Sequence, residues 1–199
     1  MDSKNVKASV LILSGGQSIR MGFPKLLLPY DGEKTFIEQI ILVYRALLGG
    51  EIVLVLSEQV WKAHKPFFRS SLPEVQLVIN SHSELDRMYS IQLGLDKIVS
   101  DLVFIQNADN PFVKADLLWR MVKAAPQDGY VSPCFSGKGG HPVLLCGAVK
   151  DRVSIATRNT TLRSVLSGQT RVMVDVDDPD VLVNLNTLET YKSRFPANK

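Results

Sequence analysis

Apolar residues in this chain gather into short β-branched runs separated by longer stretches of helical spacing. Residues 9–13, 51–56, 75–79, 102–106 and 130–132 read as strands. These runs are apolar on both faces, the pattern of strands covered by helices on each side, as in a parallel sheet. Between them, residues 35–48, 59–69, 87–99 and 115–124 read as helices. In the first helix Phe36, Ile40, Val43 and Leu47 recur at helical spacing, and Gly49-Gly50 supplies a stop. Strand–helix alternation of this kind predicts a doubly wound α/β sheet. The last third changes character. Residues 143–146, 170–174 and 181–185 read as strands without full helical crossovers, so a mixed or antiparallel edge is expected.

Composition narrows the class without naming a chemistry. The 199 residues suit one domain spanning 1–199, and 45% hydrophobic with 22% charged content is ordinary for a globular protein. A net charge of +3, with no long Lys/Arg block, gives no reason to expect nucleic acid as a partner. No apolar stretch is long enough for a bilayer, and residues 1–7 are polar rather than signal-like, so neither membrane insertion nor export is expected. Cys134 and Cys146 then read as free thiols of a cytoplasmic protein.

The chemistry starts in the loop L-S-G-G-Q-S-I-R-M-G-F-P-K, from Leu13 to Lys25. A buried strand opening into a glycine turn brings backbone N–H groups up to a phosphate. Gly15 and Gly16 let a ligand approach the backbone, while Arg20 and Lys25 supply positive charge along it. The spacing is neither that of a P-loop nor that of a dinucleotide fingerprint. A plain glycine turn with solvated cations is the alternative, but the loop's length and its two spaced cations favour a phosphate ligand. A second acidic and polar segment, N-A-D-N-P, follows the fourth strand. There Asp109 suits either a Mg²⁺ ligand or an Asx turn before Pro111.

The first loop resembles the signature of the MobA-like nucleotidyltransferases, roughly L-A-[AG]-G-x-S-x-R-M-G-x-x-K, with Ser14 in place of alanine. This family includes the guanylyl- and cytidylyltransferases that attach GMP or CMP to molybdopterin. The resemblance extends over nearly the whole chain. It implies a three-layer α/β/α, Rossmann-like nucleotide-diphospho-sugar transferase fold with a mostly parallel sheet and a mixed edge. It also implies that Leu13, Ser14, Gly15, Gly16 and Ser18 bind nucleotide, and that Arg20 and Lys25 act on its phosphates. A-D-N-P-F matches the family's G-D-x-P-L, with Ala108 for glycine, and makes Asp109 a catalytic metal ligand.

Later segments agree in order. G-K-G-G-H-P-V-L-L, residues 137–145, reads alone as a hairpin with a surface histidine. By resemblance to the cytidylyltransferase branch, Gly140, His141 and the neighbouring backbone amides contact the acceptor. The N-L-N-T stretch after the Asp178-Pro179-Asp180 turn resembles the family's closing motif, which returns a polar side chain to the metal. Asn184 and Asn186 fall on one face of the expected strand; Asn186 is the preferred ligand, and a helix N-cap at Asn186-Thr187 is compatible with that role. Ser57 and Asn80 fall where family members contact the base and ribose, Ser90 matches a residue of a segment that closes the nucleotide pocket, and Arg163 matches an acceptor-phosphate arginine.

Together these imply transfer of an NMP from an NTP to a phosphorylated small molecule, molybdopterin by default, with Mg²⁺ (or Mn²⁺) as cofactor and pyrophosphate as leaving group. Gln17-Ser18, Phe23-Pro24-Lys25 and the G-H-P-V segment lean to CTP, whereas Ser14-Gly15-Gly16 leans to GTP. The product would pass to a molybdoenzyme. The alternatives are a sugar or other small phosphate as acceptor, or a non-catalytic carrier of nucleotide or finished cofactor. A redox or regulatory α/β domain lacks any C-x-x-C or phospho-acceptor cluster in its favour.

Overall fold

The computed structural model describes residues 7–14, 23–47, 49–82, 84–157 and 159–196. Among these the chain runs β1 (Ala8–Leu13), α1 (Phe36–Leu47), β2 (Ile52–Ser57), α2 (Glu58–Ser71), β3 (Gln76–Asn80), α3 (Arg87–Leu95), β4 (Leu102–Asn107) and α4 (Ala115–Lys123). There follow β5 (Gly129–Phe135), β6 (Lys138–Gly139), β7 (Val143–Cys146), α5 (Val149–Ser154), α6 (Leu162–Leu166), β8 (Arg171–Asp175) and α7 (Leu188–Arg194). Two 3-10 turns, Lys25–Leu27 and Pro179–Leu182, complete the elements.

The strands form one eight-stranded sheet in the order β3-β2-β1-β4-β7-β5-β6, with β8 on the free edge of β5. β1 to β4 are parallel, β7 runs against both β4 and β5, and β8 is parallel to β5. A mostly parallel sheet with a mixed edge is thus what the chain builds. Its connections leave β1 toward β2 on one side and return to β4 on the other. That reversal opens a crevice at the carboxyl ends of β1 and β4, where open α/β sheets take their ligands.

Strand alternation divides the core into two layers. Val10, Ile12, Leu54 and Phe104 point to one face and pack with Ile37, Ile40 and Tyr44 of α1, Phe68 of α2 and Leu118 of α4. Leu11, Leu13, Val53, Val103 and Ile105 point to the other and pack with Met88, Ile91 and Leu95 of α3, Val149 of α5 and Leu166 of α6. None of the described helices is long and apolar enough to cross a membrane.

Two sequence expectations change. The third helix ends at Leu95 rather than 99, because Lys97 and Ile98 tighten into turns on Gly94 O and Leu95 O. Ile98 is buried all the same, which prolongs the apolar period beyond the helix. Residues 181–185 are not a strand. Pro179 opens a 3-10 turn capped by the Asp178 side chain, and residues 183–186 then run on without a ladder. The apolar spacing there arises because Val181 and Leu185 plug two separate clusters. Asn184 and Asn186 therefore do not share a strand face.

Candidate active site

The turn after β4 is built so that its acidic side chain stays free of the turn's own hydrogen bonds. Ala108 N donates to Leu13 O at 3.0 Å, prolonging the β1–β4 ladder into the turn. The Asx turn ahead of Pro111 belongs to Asn110, whose Oδ1 accepts from Phe112 N at 3.3 Å. Asp109 is spared that duty, and the N-cap of α4 is Lys114 without a side-chain cap. Asp109 Oδ1 is buried with no hydrogen-bond partner among the described residues, while Oδ2 lies 3.7 Å from Lys25 Nζ.

Lys25 comes from the far side of the crevice. It opens the Lys25–Leu27 turn, where Leu26 and Leu27 are buried and anchor the backbone. Its ammonium donates to Asn186 Oδ1 at 2.7 Å. Asn186 is placed by its neighbours: Leu185 is fully buried and its N–H donates to Asp109 O at 2.9 Å, while Thr187 caps α7 by accepting from Thr190 N. Three sequence-distant residues, Lys25, Asp109 and Asn186, thus meet at one end of the sheet. Asn184 turns elsewhere, its Oδ1 lying 3.5 Å from Asn107 Nδ2.

Asn107 is the centre of a second group. Arg87, the first residue of α3 behind the Asp86 N-cap, donates through Nη2 to Asn107 Oδ1. That fixes the amide so that Nδ2 faces His141 Nε2 at 3.4 Å as well as Asn184. Burial, and then the Arg87 charge, lower the proton affinity of His141 despite the opposing pull of Asp109, so the ring is a neutral hydrogen-bonding group near pH 7. Its Nδ1 is buried and has no partner among the described residues.

The expectation that the neighbouring backbone amides contact substrate is corrected here. Gly140 N donates to Pro133 O and His141 N to Val181 O, both at 2.8 Å, so both donors are already engaged. A Cβ at Gly140 would lie 2.5 Å from Val181 O, and this close approach is why the position requires glycine.

The proposed base and ribose contacts also converge. Ser57 and Asn80 are paired across β2 and β3, and Asn80 Nδ2 donates to Ser90 Oγ at 2.9 Å. Asn80 Oδ1 accepts from His82 N, and Ser57 Oγ caps α2 by accepting from Val60 N. Beside them an open groove of about 560 Å³ is lined by Glu58, Gln59, Lys62, Ala63 and Ser81. Leu13 is buried at the end of β1, and Ser14 N extends the ladder to Val55 O. Gly15, Gly16, Ser18 and Arg20 lie outside the described residues. Arg163 is exposed on α6, which packs on α5, and no described hydrogen bond or ion pair joins it to the Asp109 group.

Arg87 and Asn107 were not singled out by the sequence. The available signals were a polar residue closing a buried strand and a lone arginine directly behind an Asp N-cap. Among the described residues, no three or more His, Cys, Asp or Glu side chains are grouped to hold an ion. The donor set at the site is therefore one carboxylate and one amide oxygen. That set fits a hard cation such as Mg²⁺, which uses one or two protein oxygens and completes its shell with water and phosphate. The orphaned Asp109 Oδ1 fits the same group.

Comparison with known proteins agrees with this architecture. The model of the MobA-like NTP transferase domain matches residues 10–173. The molybdenum cofactor cytidylyltransferase of Escherichia coli K12 is 22% identical over 189 residues, covering 93% of this chain and 95% of that protein. Among solved structures, a protein of Mycobacterium tuberculosis H37Rv superposes with a TM-score of 0.80 at 20% identity, covering 96% of this chain and 100% of that one. A complex of that protein with manganese gives 0.75 at 17% identity, covering 96% and 98%. The molybdopterin-guanine dinucleotide biosynthesis protein A of Archaeoglobus fulgidus gives 0.65 at 20% identity, covering 93% and 95%.

Proposed function

Because the chain belongs to the MobA-like NTP transferase family, whose members are nucleotidyltransferases, we propose that it moves CMP from CTP to molybdopterin and releases pyrophosphate. GTP is the second choice of nucleotide. The observation that carries this reading is the meeting of Lys25, Asp109 and Asn186 at the carboxyl ends of β1 and β4. The cytidylyltransferase of Escherichia coli supports the choice of base and acceptor.

In this mechanism an oxygen of the acceptor's phosphate attacks the α-phosphorus of the NTP. A new O–P bond forms as the α–β bridging P–O bond breaks, and pyrophosphate leaves with the electron pair. The acceptor brings its own nucleophile, so the protein's work is positioning and charge stabilisation. Leu13, Ser14, Gly15, Gly16 and Ser18 bind the nucleotide, the two glycines through backbone amides offered to its phosphates. Arg20 and Lys25 stabilise negative charge developing on the α-phosphate and pyrophosphate. Ser57, Asn80 and Ser90 take the nucleoside. Neutral His141, oriented through Asn107, offers a hydrogen bond on the acceptor side. Asp109 and Asn186 would hold Mg²⁺, or Mn²⁺ in its place, which when bound would supply charge neutralisation at the phosphates. The reaction is assigned to the cytoplasm, with the product passed to a molybdoenzyme.

The test is pyrophosphate release with CTP, GTP, ATP or UTP in the presence of Mg²⁺ and molybdopterin. Release is expected with CTP and only when acceptor and metal are both present. Release with sugar 1-phosphates but not molybdopterin would move the acceptor; none with any nucleotide would overturn the reading.

A further inference from the structure

The last two residues of β4 are polar and point to opposite faces. Asn107 looks toward α3 and belongs to the site. Gln106 continues the row of Leu102 and Phe104 into the core beneath α1 and is fully buried. A methionine would fill that space and need no partner, so a glutamine calls for another explanation.

Both donor hydrogens of this side chain are directed at one object. Gln106 Nε2 donates to Asn107 O and to Asn110 O, both at 2.8 Å, spanning the turn that carries Asp109. Its Oε1 accepts from the hydroxyl of Tyr44 at 2.9 Å. Tyr44 is also fully buried, and burial holds its phenol protonated far beyond the ordinary range, so it is a permanent donor. The outer side of the turn is tied by Leu185 N to Asp109 O and by Asn110 Nδ2 to Asp180 O. The carbonyls of residues 107, 109 and 110 are all held, yet Asp109 Oδ1 is left without a partner.

We propose that Gln106, braced by Tyr44, is a positioning residue that holds the turn so that the Asp109 carboxylate stays clear of the turn's own hydrogen bonds and faces Lys25 across the crevice. The role of Asp109 in this statement rests on the nucleotidyl-transfer reading above. The two carbonyls of the turn only accept, so they fix Nε2 toward the turn, and the Tyr44 hydroxyl braces the amide from behind by donating to Oε1. The α1 layer thereby reaches the site without any of its side chains touching substrate.

The experiment compares wild type with Tyr44→Phe, Gln106→Met and the double variant. Each single change strands a buried polar partner, so both should melt below wild type. The double variant removes the tyrosine–glutamine pair together and should melt above Gln106→Met. Function should not follow. Both Gln106→Met and the double variant should bind Mn²⁺ about tenfold more weakly and turn over about tenfold more slowly, the usual size for loss of a ligand's outer partner, with the CTP KM within about twofold. Backbone amides of Asn110 and Leu185 should exchange with deuterium about tenfold faster, because the turn opens locally. Recovery of Mn²⁺ binding and turnover along with melting temperature would overturn the proposal, as would unchanged amide exchange. Wild type that neither binds Mn²⁺ nor releases pyrophosphate would sink the role of Asp109 instead. Faster exchange in the variants would then still uphold the grip of Gln106 on the turn.

Discussion

Replacing Lys25 by methionine separates two effects that one ammonium has on the site. Its Nζ stands 3.7 Å from Asp109 Oδ2 and 2.7 Å from Asn186 Oδ1, between the two side chains proposed to hold the metal. Two unit charges at that distance interact by about 1 kcal/mol in water and about 4 kcal/mol at an effective dielectric near 20. Lys25 and Asp109 retain only 17% and 25% side-chain exposure, so the fully screened end of that range, about 1 kcal/mol, is a floor for the pair. Removing the ammonium should therefore tighten Mn²⁺ binding without nucleotide by at least roughly fivefold, at about 1.4 kcal/mol per decade. Turnover should fall at least about a hundredfold, because charge on the phosphates loses a preorganised donor. Free Mn²⁺ followed by electron paramagnetic resonance during titration reads the first effect, and single-turnover pyrophosphate release reads the second. Mn²⁺ binding that weakens in Lys25→Met would refute the competition between ammonium and metal. Near-normal turnover would refute the role on the phosphates.

Three further substitutions probe separate parts of the site. Asp109→Asn keeps the shape of the turn but removes its charge; Mn²⁺ affinity and turnover should each drop at least about tenfold with the circular dichroism spectrum unchanged, and retained Mn²⁺ binding would exclude Asp109 as the ligand. Gly140→Ala forces a Cβ to within 2.5 Å of the Val181 carbonyl, so about 1–3 kcal/mol of stability should be lost in denaturant unfolding. An unchanged midpoint there would show that the backbone shifts freely. His141→Gln tests pH dependence. Since the folded-state pKa of His141 is lowered, the unfolded chain binds its proton first as pH falls, and stability declines below the ordinary histidine value near 6.5. Wild type should accordingly lose more melting temperature between pH 7 and pH 5 than His141→Gln, and equal losses would mean that the ring titrates normally.

The central strands were legible because apolar residues on both faces leave few alternatives to a helix-covered parallel sheet. α5, α6 and α7, of six, five and seven residues, were not, since two turns or fewer display no period. Residues 181–185 misled for the opposite reason: two apolar side chains serving different clusters imitate the alternation of a strand. Lys25 and Asp109 could be read from the residues themselves, as a spaced cation after a glycine turn and a carboxylate just beyond a strand, but Asn186 came through resemblance alone, for no spacing rule joins a lysine to an asparagine 161 positions away. Asn107 was lost by a single residue. Ending the fourth strand at 106 placed Asn107 in the turn and hid that it closes the ladder opposite Leu13. With the strand extended, residues 106 and 107 are consecutive polar positions at the end of a buried run, one on each face. Each must then find a polar partner on the helix covering its own side, and each does: Gln106 on Tyr44 of α1, Asn107 on Arg87 of α3. A polar pair closing a strand buried on both faces is therefore a site signal in its own right, because a packed core accepts such residues only where both covering helices answer them.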